Sequence, residues 1–194
     1  NGVLVYRANG SQDFQLRWFG RQGEALAPVG DPGRFRGLAL SPDGSRLAAV
    51  QPNAENPDAA DLWRMDLAQA TRVRLSVGNL GSRNRAVIWS PDGTRIALLS
   101  NRGGSWNLVE KPANGSGEET VLLKARDSTM PTSWSSDGRF LLYSTTPPLT
   151  DIWVLPLDGD HRPAPVVSTD FVEDEAQFSP DGRWIVYTSD ETGG

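Results

Sequence analysis

No cysteine occurs among the 194 residues, which excludes a disulfide framework and any thiolate-held metal. Histidine is nearly absent: His161 stands alone in Asp160-His161-Arg162-Pro163. A single imidazole argues against a zinc site, and this one reads as an exposed turn residue rather than a general base. Lysine is limited to Lys111 and Lys124, and no Walker sequence or Gly-x-Gly-x-x-Gly occurs, so phosphate-cradling loops are excluded. The other 17 basic residues are arginines scattered along the chain; against 24 acidic residues they leave a net charge of −5 and no surface for nucleic acid. No run approaches the roughly 18 apolar residues of a membrane helix, so no membrane insertion by this segment is expected. Asn1 to Tyr6 carries neither a charged leader nor a hydrophobic signal region, and the sequence by itself shows neither export nor anchoring. Helical periodicity is missing over any useful length, which leaves strands.

What is present is one short stretch in four copies: Ser41-Pro42-Asp43-Gly44, Ser90-Pro91-Asp92-Gly93, Ser135-Ser136-Asp137-Gly138 and Ser179-Pro180-Asp181-Gly182. Their glycines lie 49, 45 and 44 residues apart, the spacing of a repeat protein. Ser first, Pro second and Gly last meet the demands of a type I turn followed by a left-handed residue, the closure of a β-hairpin. Ser136 replaces Pro in the third copy, whose Gly138 is kept.

A large apolar residue precedes each Ser (Leu40, Trp89, Trp134, Phe178), and apolar residues recur three and five positions after each Gly (Leu47 and Ala49, Ile96 and Leu98, Leu141 and Tyr143, Ile185 and Tyr187). A spacing of two puts both on one face of a strand. The positions between them, Ala48, Ala97, Leu142 and Val186, are apolar too, so these strands are expected to be buried on both faces. A third strand follows at Asp61-Leu62-Trp63, Asn107-Leu108-Val109 and Asp151-Ile152-Trp153, and a fourth at Arg72 to Val77, Thr120 to Lys124 and Pro165 to Ser168. Four short strands per unit make an all-β fold, a β-propeller of four-stranded antiparallel blades. The chain reads as a single propeller segment with a partial blade over residues 1–34, blades at about 35–80, 81–127 and 128–172, and a partial blade over 173–194. Both ends carry a second strand, one of them surplus in a closed five-bladed ring, so an open fragment of a larger propeller is expected. The irregular stretch Gln51 to Ala60 interrupts the first full blade; it is a solvated insertion on the plain reading, and a rim loop of the kind that carries binding residues on the other.

Catalytic sets are missing. No Gly-x-Ser-x-Gly elbow occurs and no kinase signature is present, so enzymatic activity would belong to another domain. Glu118-Glu119 and Glu173-Asp174-Glu175 read as solvated loop charge rather than acid/base pairs. The repeated aspartates occupy a turn position whose side chain bonds nearby backbone amides, a stronger reading than calcium. Trp63, Trp89, Trp134 and Trp153 read as packing between blades before they read as a stacking platform. Asn9-Gly10-Ser11 and Asn114-Gly115-Ser116 match the glycosylation triplet but suffice as turn formers. No catalytic, cofactor-binding or metal-binding residue is assigned, and no cofactor is expected.

The apolar-Ser-Pro-Asp-Gly turn, the following strand ending in Tyr and the later Asp-Leu-Trp or Asp-Ile-Trp strand resemble the WD40-like (PD40) repeats of TolB-type β-propellers, over nearly the whole chain. The resemblance implies six blades in the parent, which suits the incomplete ends. Lys111-Pro112-Ala113 and Val154-Leu155-Pro156-Leu157-Asp158-Gly159 are similar to propellers attached to bacterial serine/threonine kinases. It implies a non-catalytic module for protein or ligand binding, a sensory or scaffold part of a larger bacterial protein, with a protein partner expected. Periplasmic TolB, which engages envelope proteins, favours an extracytoplasmic location. The alternative is the gating propeller of a prolyl-oligopeptidase-type serine peptidase, and a third is a small-ligand site in the central channel.

Overall fold

The computed structural model describes residues 2–7, 13–56, 58–76, 80–81, 86–101, 104–125, 129–145 and 150–192, and among these it shows 18 strands and no α-helix. The chain divides into two compact units, residues 1–85 and 86–194. In the first unit, β1 (Gly2–Arg7), β2 (Phe14–Phe19) and β3 (Ala25–Gly33) form a three-stranded antiparallel sheet. The second sheet follows as β4 (Gly37–Leu40), β5 (Arg46–Pro52), β6 (Ala59–Asp66) and β7 (Thr71–Arg74), with β8 (Leu80–Gly81) added beside the start of β6.

In the second unit, β9 (Val87–Trp89), β10 (Arg95–Ser100), β11 (Asn107–Pro112) and β12 (Thr120–Lys124) form a four-stranded meander. So do β13 (Met130–Trp134), β14 (Phe140–Thr145), β15 (Asp151–Pro156) and β16 (Ala164–Val167), while β17 (Glu173–Phe178) and β18 (Ile185–Ser189) form a two-stranded sheet. Every pairing is antiparallel, in sequence order within each meander, which is the build of a propeller blade.

Burial explains why consecutive apolar residues occur on the second strand of each full sheet. Along β14, Leu141 and Tyr143 pack toward the third sheet with Ala97, Leu108, Leu122 and Trp134. The intervening Leu142 faces the other way, clustered with Ile152 and with Ala176 of the last sheet. A strand between two neighbouring sheets needs apolar side chains on both faces, and alternation along the strand distributes them. In the first unit, Leu16 and Val29 of the first sheet meet Leu47 of the second, with Trp18, Phe35 and Met65 around them.

Two expectations need correction. Val186 and Tyr187 correspond to fully buried positions in the other sheets, yet they are 67% and 41% exposed, because no third strand covers the last sheet among the described residues. The stretch Gln51 to Ala60 is not irregular throughout: Gln51 pairs with Asp61 and Pro52 with Ala60, so the strands run on into it from both sides. Pro57 and Val77 lie outside the described residues.

The hairpins between first and second strands share one bonding pattern. The amide of Gly93 donates to the Ser90 carbonyl at 2.9 Å, closing a type I turn, and the Ser90 amide donates to the Arg95 carbonyl across its mouth, also at 2.9 Å. Gly44, Gly93, Gly138 and Gly182 have φ of 70, 67, 76 and 68°, the left-handed region where a Cβ is penalised. The Ser90 hydroxyl is fully buried; it donates to Asp92 Oδ1 at 2.5 Å and accepts the Arg95 amide at 2.9 Å. Its removal takes one bond from the half-buried Arg95 amide and one charge-assisted bond from the exposed Asp92 carboxylate, so Ser90→Ala is expected to cost about 1–2 kcal/mol. Ser179→Ala, in the part-exposed turn of the two-stranded sheet, is expected to cost less, and the urea unfolding midpoints of the two variants check the order.

Candidate functional site

The turn residues singled out by the repeat fall in the closing turns of their hairpins, each bonded within its own turn. Ser41, Ser135 and Ser179 donate to Asp43, Asp137 and Asp181 at 2.6, 2.7 and 2.5 Å, as Ser90 does to Asp92. Each carboxylate also accepts the amide two residues on: Ser45, Thr94, Arg139 and Arg183 at 3.0 to 3.2 Å. These bonds favour the ionised form and hold Asp43, Asp92 and Asp137 well below the usual 3.8, at about 2; Asp181 is lowered for the same reason, with the serine hydroxyl the largest cause in all four. Every carboxylate is thus engaged in its own turn. Pro42, Pro91 and Pro180 sit second in theirs, and Pro91 lies under Gly138, 3.8 Å from where a Cβ would be.

The remaining candidates are dispersed. His161 has a positive φ of 50° and its ring nitrogen lies 3.1 Å from the Leu157 carbonyl, so it closes the turn between β15 and β16. Asn114 does the same for its turn, accepting the amide and hydroxyl of Ser116; Asn9 to Ser11 lie outside the described residues. The acidic pairs are not all solvated loop charge. Glu173 opens β17 and is 1% exposed, taking a hydrogen bond from the Thr169 hydroxyl, while Glu119 is half-buried against the Ser100 hydroxyl. Among the described residues no group of three or more potential ligands gathers to hold a metal.

Trp89 and Trp134 are buried, and Trp153 packs against the cluster around Trp134. Trp63 departs from them. It lies on the face of β6 that, one turn of the pleat further on, contributes Met65 to the packing between the first two sheets. Around Trp63 that packing gives way to a polar cleft of about 480 Å³. The cleft is lined by Asp13 and Arg34 beside the first sheet, by Gln51 and Asn53 at the end of β5, and by Arg72 and Arg74 on β7. Strand pairing explains the grouping: Arg74 is the cross-strand partner of Trp63 and Arg72 of Met65, so both arginines rise on the tryptophan face.

Their guanidinium carbons lie 4.9 Å (Arg72) and 5.7 Å (Arg74) from the Trp63 ring centre, within cation–π range. Asp61, 3% exposed, sits beneath them; it accepts the Asn53 side-chain amide at 3.0 Å and lies 3.5 Å from Arg74. Asn53 in turn caps its loop by accepting the amides of Glu55 and Asn56. Arg34 pairs with Asp13 at 3.5 Å. The arginines scattered in the sequence are therefore brought together here. The irregular loop was the one sequence signal near the site; nothing in the sequence linked it to Arg34 or to β7.

A family model described as the TolB β-propeller domain matches residues 29–194. The chain is 29% identical to the Tol-Pal system protein TolB of Bordetella pertussis, over 52% of this chain and 33% of that protein. The crystal structure of TolB from Acinetobacter baumannii superposes with a TM-score of 0.76 at 16% identity, over 99% of this chain and 47% of that one. A chain from a structural study of two prolyl endopeptidases gives 0.68 at 19% identity, over 98% and 31%. At these identities the structural likeness shows the fold alone, and the chain spans about a third of the curated relative.

The turn carboxylates set the acid response. A carboxylate whose folded pKa is depressed stabilises the fold fully above its unfolded value and loses that contribution as pH falls through the folded one. Stability is therefore expected to fall between pH 3.8 and about 2. Asp92→Asn should make the fall in the urea midpoint over that window shallower than in the native chain; equal slopes would show that these turns do not set it.

Proposed function

The chain belongs to the TolB β-propeller domain family, and on that premise we propose that it is a non-catalytic binding module that presents a surface to a protein partner, as part of a larger bacterial protein. The observation that carries this reading is the contrast between its two kinds of polar group. The repeated serines and aspartates, numerous enough to suggest chemistry, satisfy one another inside the turns. His161 is bonded to a backbone carbonyl, away from any serine–carboxylate pair. What is left open is a recognition surface: an aromatic ring, guanidinium groups and side-chain amides in a cleft between two sheets. Such groups orient and hold a ligand; without a nucleophile and base they do not cleave one.

A TolB-like envelope protein or the sensory region of a serine/threonine kinase would each use such a module. The likeness to prolyl endopeptidase structures supports the second reading, a propeller that accompanies a serine peptidase domain. Flanking sequence separates them: Gly-x-Ser-x-Gly beyond the propeller favours the peptidase, kinase motifs before it the sensor.

Random-peptide display against the immobilised 194-residue chain tests the proposal. The expected outcome is peptides that bind saturably in calorimetry and are recovered intact by mass spectrometry. Cleavage of a selected peptide, or failure of every selected peptide to bind saturably in solution, overturns it.

A further inference from the structure

We propose that the cleft between the first and second sheets is a receptor for acidic side chains of a peptide partner, with the Arg72 guanidinium, stacked over Trp63, as the principal carboxylate-binding group. This rests on the reading of the chain as a binding module and names the chemistry of what it binds.

Arg74 is not demanded by the fold. Trp63 and Arg74 face each other across β6 and β7; the corresponding cross-strand pairs are Val109 and Val121 in the third sheet and Trp153 and Pro165 in the fourth. Apolar partners complete those sheets, so a charged residue at this position is particular to the second. The equivalent recess in the third sheet, near Ser100 and Glu119, is smaller, about 170 Å³, and acidic.

The groups present suit a carboxylate. Arg72 and Arg74 are exposed, and Arg72 makes no ion pair among the described residues. Stacking on the indole fixes the guanidinium plane and leaves its edge donors free for a two-point bond to a carboxylate. Arg74 and Arg34 each pair with one acid through a single contact of 3.5 Å, which leaves further donors of the five on each guanidinium for an incoming carboxylate.

Three acids match the three arginines in number, but two are committed: Asp61 is buried against Asn53 and Arg74, and Asp13 is held by Arg34. Glu55, exposed in the loop at the margin of the cleft, is the one acid that opposes an incoming anion. At about 480 Å³ the cleft accommodates a side chain with its flanking backbone rather than a bare ion.

Calorimetric titration of the 194-residue chain at low salt, with acetyl-Glu-Asp-Gly-Glu-Asp-Gly-amide and its Gln/Asn counterpart, tests the assignment. The acidic peptide is expected to bind and the neutral one not. Arg72→Gln should weaken binding by about tenfold or more, the loss of one charge-assisted two-point contact. Glu55→Gln should tighten it, and Arg162→Gln, a fully separate exposed arginine, should leave it unchanged. Should Arg72→Gln fail to fold, Arg34→Gln, in the link between β3 and β4, carries the same expectation of weaker binding. No binding of the acidic peptide, equal binding of the neutral one, or an unchanged affinity in Arg72→Gln overturns the proposal. Peptides from the display selection that bind Arg72→Gln as well as the native chain would sink this pocket while leaving the binding-module reading intact.

Discussion

A serine hydroxyl that donates a hydrogen bond to an aspartate two residues on, and accepts one from the amide of the residue five on, closes the hairpins β4–β5, β9–β10, β13–β14 and β17–β18. The rest of the structure depends on that arrangement. It sets the register between the first and second strands, and a slip of one residue there would turn Leu47, Ile96 or Leu141 from the core to the opposite face. It does so with local bonds, formed between residues at most five apart, so the hairpin is specified before any sheet has a neighbour to pack against.

Packing then proceeds sheet by sheet. Within the second unit the fourth sheet is held from both sides, by Leu141 and Tyr143 on one face and Leu142 on the other. Repeat proteins gain most of their stability from such nearest-neighbour surfaces. The last sheet shows the converse: with two strands and one packed face, it leaves Trp184 and Val186 at 69% and 67% exposed. The residue types at those positions are those of a covered blade, and their exposure follows from the strands beside them, not from their chemistry.

The fold was legible because its signals are short-range and repeated. Four turn motifs and apolar residues at a spacing of two are enough to place the strands, and the family match agrees with them. The cleft was not legible for the opposite reason. Arg34 follows β3 while Trp63 lies on β6 and Arg72 on β7, and only strand pairing and the packing of one sheet on another make them neighbours. Glu173 was misread for a related cause: in sequence it sits in an acidic run, but as the first residue of β17 its side chain turns inward to the Thr169 hydroxyl while Glu175 turns out. Alternation alone would put Glu173 and Glu175 on one face; the bulge between Asp174 and Gln177, with Glu175 at a φ of 56°, separates them, and no residue pattern in the sequence marks it.

The turns carry one chemical hazard in their covalent structure. An Asp-Gly bond is prone to ageing, because the unhindered glycine nitrogen can attack the preceding side-chain carboxyl to form a succinimide and then isoaspartate. That attack needs a protonated carboxyl and a free glycine nitrogen. In these hairpins the carboxyl is kept ionised by its hydroxyl and amide donors, and the glycine N–H is bonded back to the serine carbonyl at 2.8 or 2.9 Å. Folding thus shelters these four otherwise labile peptide links, and their chemical lifetime is tied to the time the hairpins stay closed.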